Sequence, residues 1–159
     1  MRKLLQEVVL TTAQAAVTFA SIPQGYTDLY LEITNLNDWT PTANSDLRIR
    51  INGDSGSNYS RTVVRGDGSS ASSSRNVSAS YAYGLGTTQA GWSTGTAQFM
   101  SYANTNVYKS ILFRNSMTNY QVDAAVDLWR STAAITSLSM DASNGNFAAG
   151  STFRLWGIV

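Results

Sequence analysis

The sequence predicts an all-β fold, a single antiparallel β-sandwich, jelly-roll-like, with about ten strands and no substantial helix. Three observations carry this. Apolar and polar residues alternate with period two along many short stretches. Clusters of Gly, Asn, Asp, Ser and Pro, the residues that supply turn geometry, separate those stretches. No segment keeps an apolar stripe of period 3.6.

Taken in order, residues 4–10 (LLQEVVL) form an apolar first strand, and residues 1–10 are expected to act as an N-terminal arm. Residues 14–19 (QAAVTF) follow. In TDLYLEI, Leu29, Leu31 and Ile33 face a core while Asp28, Tyr30 and Glu32 face the other way. In DLRIRIN, Leu47, Ile49 and Ile51 alternate with Arg48 and Arg50, which stand ready to pair with carboxylates across strands. The stretch NGDSGSN that follows is turn-forming. Residues 58–65 (NYSRTVVR) form a strand, and the Ser/Gly segment 66–75 (GDGSSASSSR), with no apolar anchor, is expected to be a flexible loop. Strands are expected again at 76–85, 95–102 (GTAQFMSY) and 107–115 (VYKSILFRN). VDAAVDL alternates Val122, Ala124, Val126 and Leu128 with Asp123, Ala125 and Asp127, so the valines are expected inside. Residues 134–141 and FRLWGIV, with Phe153 and Leu155 inward and Arg154 and Trp156 outward, complete a single domain over 1–159.

Composition narrows the chemistry. Histidine and cysteine are both absent, which removes imidazole and thiolate ligands together with disulfides. No cofactor or metal is expected. The net charge is +1, and the charges are scattered rather than gathered in the basic runs that neutralise phosphates, so nucleic acid is not an expected partner. Gln6 and Glu7 interrupt the apolar start, so it does not read as a signal peptide, and no run is long enough for a membrane span.

Two short motifs suggest hydrolases. GWSTG at 91–95 matches the G-x-S-x-G nucleophile elbow, and GDSGS at 53–57 is similar to the segment around a trypsin-like nucleophile. A serine needs a base to take its proton, and without histidine neither Ser55 nor Ser93 has the usual one. The chain is therefore expected not to be an enzyme. A glycosidase needs only two carboxylates, but Glu32, Asp54 and Asp127 read as solvated charges. NGDSGS and DASNGN lack the spacing of a calcium loop. Trp39, Tyr81, Tyr83 and Trp92 lie in or beside turns and are candidate contacts for a glycan or a partner.

Several stretches fall in a familiar order. LLQEVVLTTAQAAVTFASIPQGYTDLYLEI, then RIRINGDSGSNYS, then FAAGSTFRLWGIV with its G-S-x-F-x-L-[YW]-G pattern together resemble the virion surface proteins of tailed phages. The resemblance runs from Leu5 to Ile158 and implies a jelly-roll module of a tail fibre or head decoration, usually homotrimeric, with no catalytic residues and with Asn52, Gly53 and Asp54 shaping a hairpin turn. Because no anchor or shaft precedes the module, it favours a capsid decoration or cement protein, made in the host cytoplasm and located on the virion. The alternative is a tail-fibre or tail-tip module recognising host-surface carbohydrate. Expected partners are other virion proteins and further copies of the chain, the subunit contact using Leu5, Val8, Arg48, Arg50, Arg154 and Trp156.

Overall fold

A computed structural model describes residues 1–36, 45–87, 92–117 and 121–159. Among them lie twelve strands: β1 (Arg2–Val9), β2 (Ala16–Phe19), β3 (Asp28–Leu36), β4 (Ser45–Ile51), β5 (Tyr59–Gly66), β6 (Ala71–Ala79), β7 (Ala82–Thr87), β8 (Trp92–Phe99), β9 (Lys109–Met117), β10 (Val122–Trp129), β11 (Leu138–Ala142) and β12 (Thr152–Ile158). They form two sheets. The long sheet has the order β1-β12-β3-β8-β9-β10-β5-β6 and the short one β2-β11-β4-β7. Every pairing is antiparallel.

Setting aside β5–β6 and β9–β10, the remaining eight strands alternate between the sheets except at β4 and β7, which are neighbours in the short sheet, giving β1-β12-β3-β8 against β2-β11-β4-β7. That is the wrapping of a jelly roll. The two additional strand pairs both join the long sheet on the β8 side and double its width. The core between the sheets holds the alternating residues expected of it, including Leu29, Leu31, Ile33, Leu47, Ile49, Ile51, Phe153 and Leu155.

The motifs near both chain ends are scaffold with identifiable contacts. Asn52 (φ 53°) and Gly53 (φ 71°) both occupy the left-handed region, and the Asp54 amide donates to the Ile51 carbonyl at 2.9 Å. This tight turn does not make the expected hairpin, because β4 and β5 belong to different sheets. It is a corner between sheets, held by side chains. The Asn52 amide oxygen accepts from the backbone of Thr136 and Ser137, and Asp54 accepts from Trp129 Nε1 at 2.7 Å and from Gly56 and Asn58. Burial pushes the Asp54 carboxyl up, but these donors outweigh it and hold the group below its ordinary value. Near the C-terminus, a Cβ on Gly157 would stand 2.5 Å from the Tyr26 ring, so the ring packs directly on the glycine backbone.

Three expectations are corrected. Residues 71–75 are not loop but the first half of β6. Asp67 accepts from the backbone amides of Ser69 and Ser70, Gly68 takes φ 87°, and the chain reverses at once into a ladder with β5. Ladder bonds come from backbone, so serine serves as well as an apolar residue there. Residues 76–85 are not one strand, since β6 ends at Ala79 in the long sheet and β7 starts at Ala82 in the short one. Residues 1–10, expected as an N-terminal arm strand for a subunit contact, pair within their own chain. β1 pairs with β12 along its length, and Leu5 and Val8 pack on the core.

Gly157→Ala should lower stability by about 1–3 kcal/mol through overpacking against Tyr26. Urea unfolding followed by Trp fluorescence measures this, and an unchanged midpoint would mean that the ring moves aside without cost.

Candidate interaction surface

The added strands reverse the polarity that alternation leads one to expect. In β10 the buried residues are Asp123, Ala125, Asp127 and Trp129, while Val122, Ala124 and Val126 face solvent. The valines expected inside are outside. The register extends this to the neighbours: Val126 lies between Leu112 on β9 and Thr62 on β5, and Ala124 lies between Arg114 and Val64. Val64, Val122 and Val126 are more than half exposed (57%, 56% and 53%) and Leu112 is 43% exposed. These apolar side chains sit in the middle of a sheet.

Val64, Leu112, Ala124 and Val126, together with Tyr30, Thr96 and Gln98 from β3 and β8, line a shallow groove of about 620 Å³ on the outer face of the long sheet. A more polar depression of about 520 Å³ adjoins it, sharing Tyr30, Thr96 and Arg114 and adding Glu32, Thr94, Ser116 and Arg154. The outer face is thus apolar over β9, β10 and β5, and ionic over β1, β12 and β3, where Glu7 pairs with Arg154 at 2.5 Å and Glu32 with Arg2 at 3.7 Å.

The inner face of the same strands explains the reversal. β7, the edge of the short sheet, closes against β8, β9, β10 and β5. Its Tyr83 amide has no further strand to bond among the described residues and donates instead to Asp127 Oδ2 at 2.6 Å. Around this bond gather Arg61, whose guanidinium lies 4.0 Å from the centre of the Tyr83 ring, and Arg65, 3.7 Å from Asp123. Asn115 and Gln121 bond to the backbone amide and carboxylate of Asp123. Tyr83 also bonds to Asp46, whose pKa is raised by burial. Asp127 is fully buried and its other oxygen meets no donor among the described residues. Burial pushes its carboxyl up to about 7, against the lowering influence of the Tyr83 amide and Arg61. Asp127 is therefore not the solvated charge that the sequence suggested.

The residues singled out from sequence scatter. Trp39 lies outside the described residues. Tyr81 is half-buried before β7, with Arg48 5.9 Å from its ring centre, and Tyr83 is buried. Trp92, 44% exposed, opens β8 and rests against Gly150. Arg48 and Arg50 do pair across strands, both with Asp141 on β11. Arg154 is held by Glu7, and Trp156 donates to Glu32 at 3.0 Å. Tyr83 stands in the short sheet and Trp92 in the long one, so they form no common aromatic platform.

The apolar groove had a sequence signal of its own. Apolar neighbours at Val63-Val64, Ile111-Leu112 and Ala124-Ala125-Val126 must place side chains on both faces of a strand.

No protein-family model matches the chain, and no curated protein sequence matches it. Among solved structures, one described as "Crystal structure of HCR/D-Sa-GBL1/C" aligns over 95% of this chain at 10% identity and a TM-score of 0.28. The chain spans 41% of that structure's length. A likeness this weak bears on neither function nor site.

Asp127→Asn keeps the shape of the side chain and removes its titration. A raised carboxyl pKa favours the folded state most below the unfolded value near 3.8, and this contribution is lost as pH rises through about 7. The stability of the native protein relative to Asp127→Asn should therefore fall between pH 4 and pH 7, by up to roughly 4 kcal/mol. Urea midpoints of both proteins across this range measure it, and a constant difference would place Asp127 in contact with solvent.

Proposed function

We propose that this chain is a non-enzymatic structural protein of a tailed-phage virion, seated on the capsid as a decoration or cement protein and assembled as a homotrimer. One observation carries the docking role: the uncovered apolar face made by Val64, Leu112, Val122 and Val126 in the middle of the long sheet. Exposed apolar patches of this kind mark interaction sites. The ordered motifs at both chain ends support the virion assignment.

The structural surroundings of the two serines support the non-enzymatic reading. Ser93 is buried on the inner face of β8, and Ser55 sits exposed in the corner between β4 and β5. Neither position presents a nucleophile to a cleft. A second reading, a tail module that binds host carbohydrate, rests on exposed Trp92 and on the polar depression holding Glu32, Thr94, Ser116 and Arg114.

Antibody labelling of intact virions should place the protein on the capsid, and the purified protein should bind particles lacking it. Val126→Asp should weaken that binding by at least about tenfold while leaving the fold intact, because the position is exposed. Binding that survives Val126→Asp would show that this face does not dock. Label confined to the tail, together with a positive glycan array, would replace the capsid reading with the carbohydrate one.

A further inference from the structure

The charges around the groove are lopsided, and this identifies what it accepts. Every acidic residue among the described ones is engaged within the chain: Glu7, Glu32, Asp123 and Asp141 by arginines, and Asp28, Asp46, Asp54, Asp67 and Asp127 by hydrogen-bond donors. Arginines at the groove are not. Arg114 lines it from β9, one cross-strand step from Ala124. Arg75 stands opposite Thr62 on β6 and so shares its outer face, at the far side of Val126. Neither has an ion-pair or hydrogen-bond partner among the described residues. An aliphatic slot is therefore lined by one unengaged arginine and shares its sheet face with a second, with no uncommitted acid among the described residues.

We propose that the groove holds an extended acidic peptide segment of a partner protein, with one aliphatic side chain in the slot and a carboxylate on either side. This deepens the docking role proposed above and rests on it. The strands bearing Arg114 and Arg75 are three spacings apart, roughly 14 Å, which an extended chain covers in about four or five residues. The segment thus reads acid, spacer, aliphatic, spacer, acid. The aliphatic lining suits a leucine or isoleucine side chain, whereas a sugar needs an aromatic face, and the nearby Tyr30 is buried. A second copy of this chain fits worse, because its face would bring arginine to arginine while every acid among the described residues is already engaged. A homotrimer contact accordingly lies elsewhere, with the edge of β1, unpaired among the described residues, available for it at the end of the sheet.

The probe is the capped nonapeptide Gly-Ser-Glu-Ser-Leu-Ser-Glu-Ser-Gly, titrated into the full chain at low salt and followed by amide chemical shifts. Its counterparts carry Gln or Lys in place of both Glu, or Ser in place of Leu. The acidic peptide should shift amides of β9, β10 and β5 and bind more tightly than all three counterparts. Arg75→Gln and Arg114→Gln should each weaken it by roughly two- to fivefold. Equal binding of the Gln peptide, or no binding by any peptide, overturns the proposal. So does self-association by light scattering that Val126→Asp abolishes, or binding to phosphatidylserine vesicles in place of the peptide. If Val126→Asp abolishes virion binding while the Arg75→Gln, Arg114→Gln double variant binds virions normally, the docking role stands and the acidic partner falls.

Discussion

Four strands cannot cover eight. At about 4.8 Å per strand spacing, the long sheet is roughly 34 Å wide and the short one roughly 14 Å. β1, β12, β3 and β8 lie opposite the short sheet in ordinary jelly-roll fashion, and their inner faces give Leu29, Leu31, Ile33, Ala97, Phe99, Phe153 and Leu155 to the core. β9, β10, β5 and β6 extend past β8, and the edge strand β7 closes against three of them. An edge strand leaves amides without partners, and burying one without an acceptor costs about 1–3 kcal/mol. Asp127 supplies the acceptor for Tyr83, and one buried carboxylate then draws arginines and further polar groups around it. The ionic cluster follows from the width of the sheet.

Putting the charged side of β10 inside puts its valines outside. A strand has two faces and period two, so one choice fixes the other. The cluster beside β7 and the apolar groove on the opposite face are thus two consequences of one register. Buried ion clusters contribute little net stability, because desolvation offsets most of their attraction. Their effect here is to hold the strand in one orientation. That orientation gives the molecule an uncovered aliphatic surface backed by a rigid ladder, a geometry suited to docking.

Much of the core was legible in the sequence. TDLYLEI, DLRIRIN and FRLWGIV alternate cleanly because each is covered on one face by the other sheet. The pairing of Arg48 and Arg50 with a carboxylate was legible for the same reason. VDAAVDL misled because hydrophobicity alone favours the valines, whereas the missing neighbour over β10 decides the matter, and a strand's own residues carry no record of what covers it. Counting back from Trp129 would have pointed the right way, since Asp127, Ala125 and Asp123 share its face. The Ser-rich β6 was illegible because its ladder bonds are backbone, and the sequence carries no sign that the fold buries Tyr83 and sets Trp92 in the other sheet.

The chain has no cysteine, so a single introduced thiol reports its own exposure without background. Ala124→Cys, Ala125→Cys and Val126→Cys, treated with maleimide in the folded state, read the orientation of β10 directly. Rapid labelling at 124 and 126 with protection at 125 is the result this account requires. Protection at 124 and 126 with rapid labelling at 125 would turn the strand over, restore the valines to the core and contradict it.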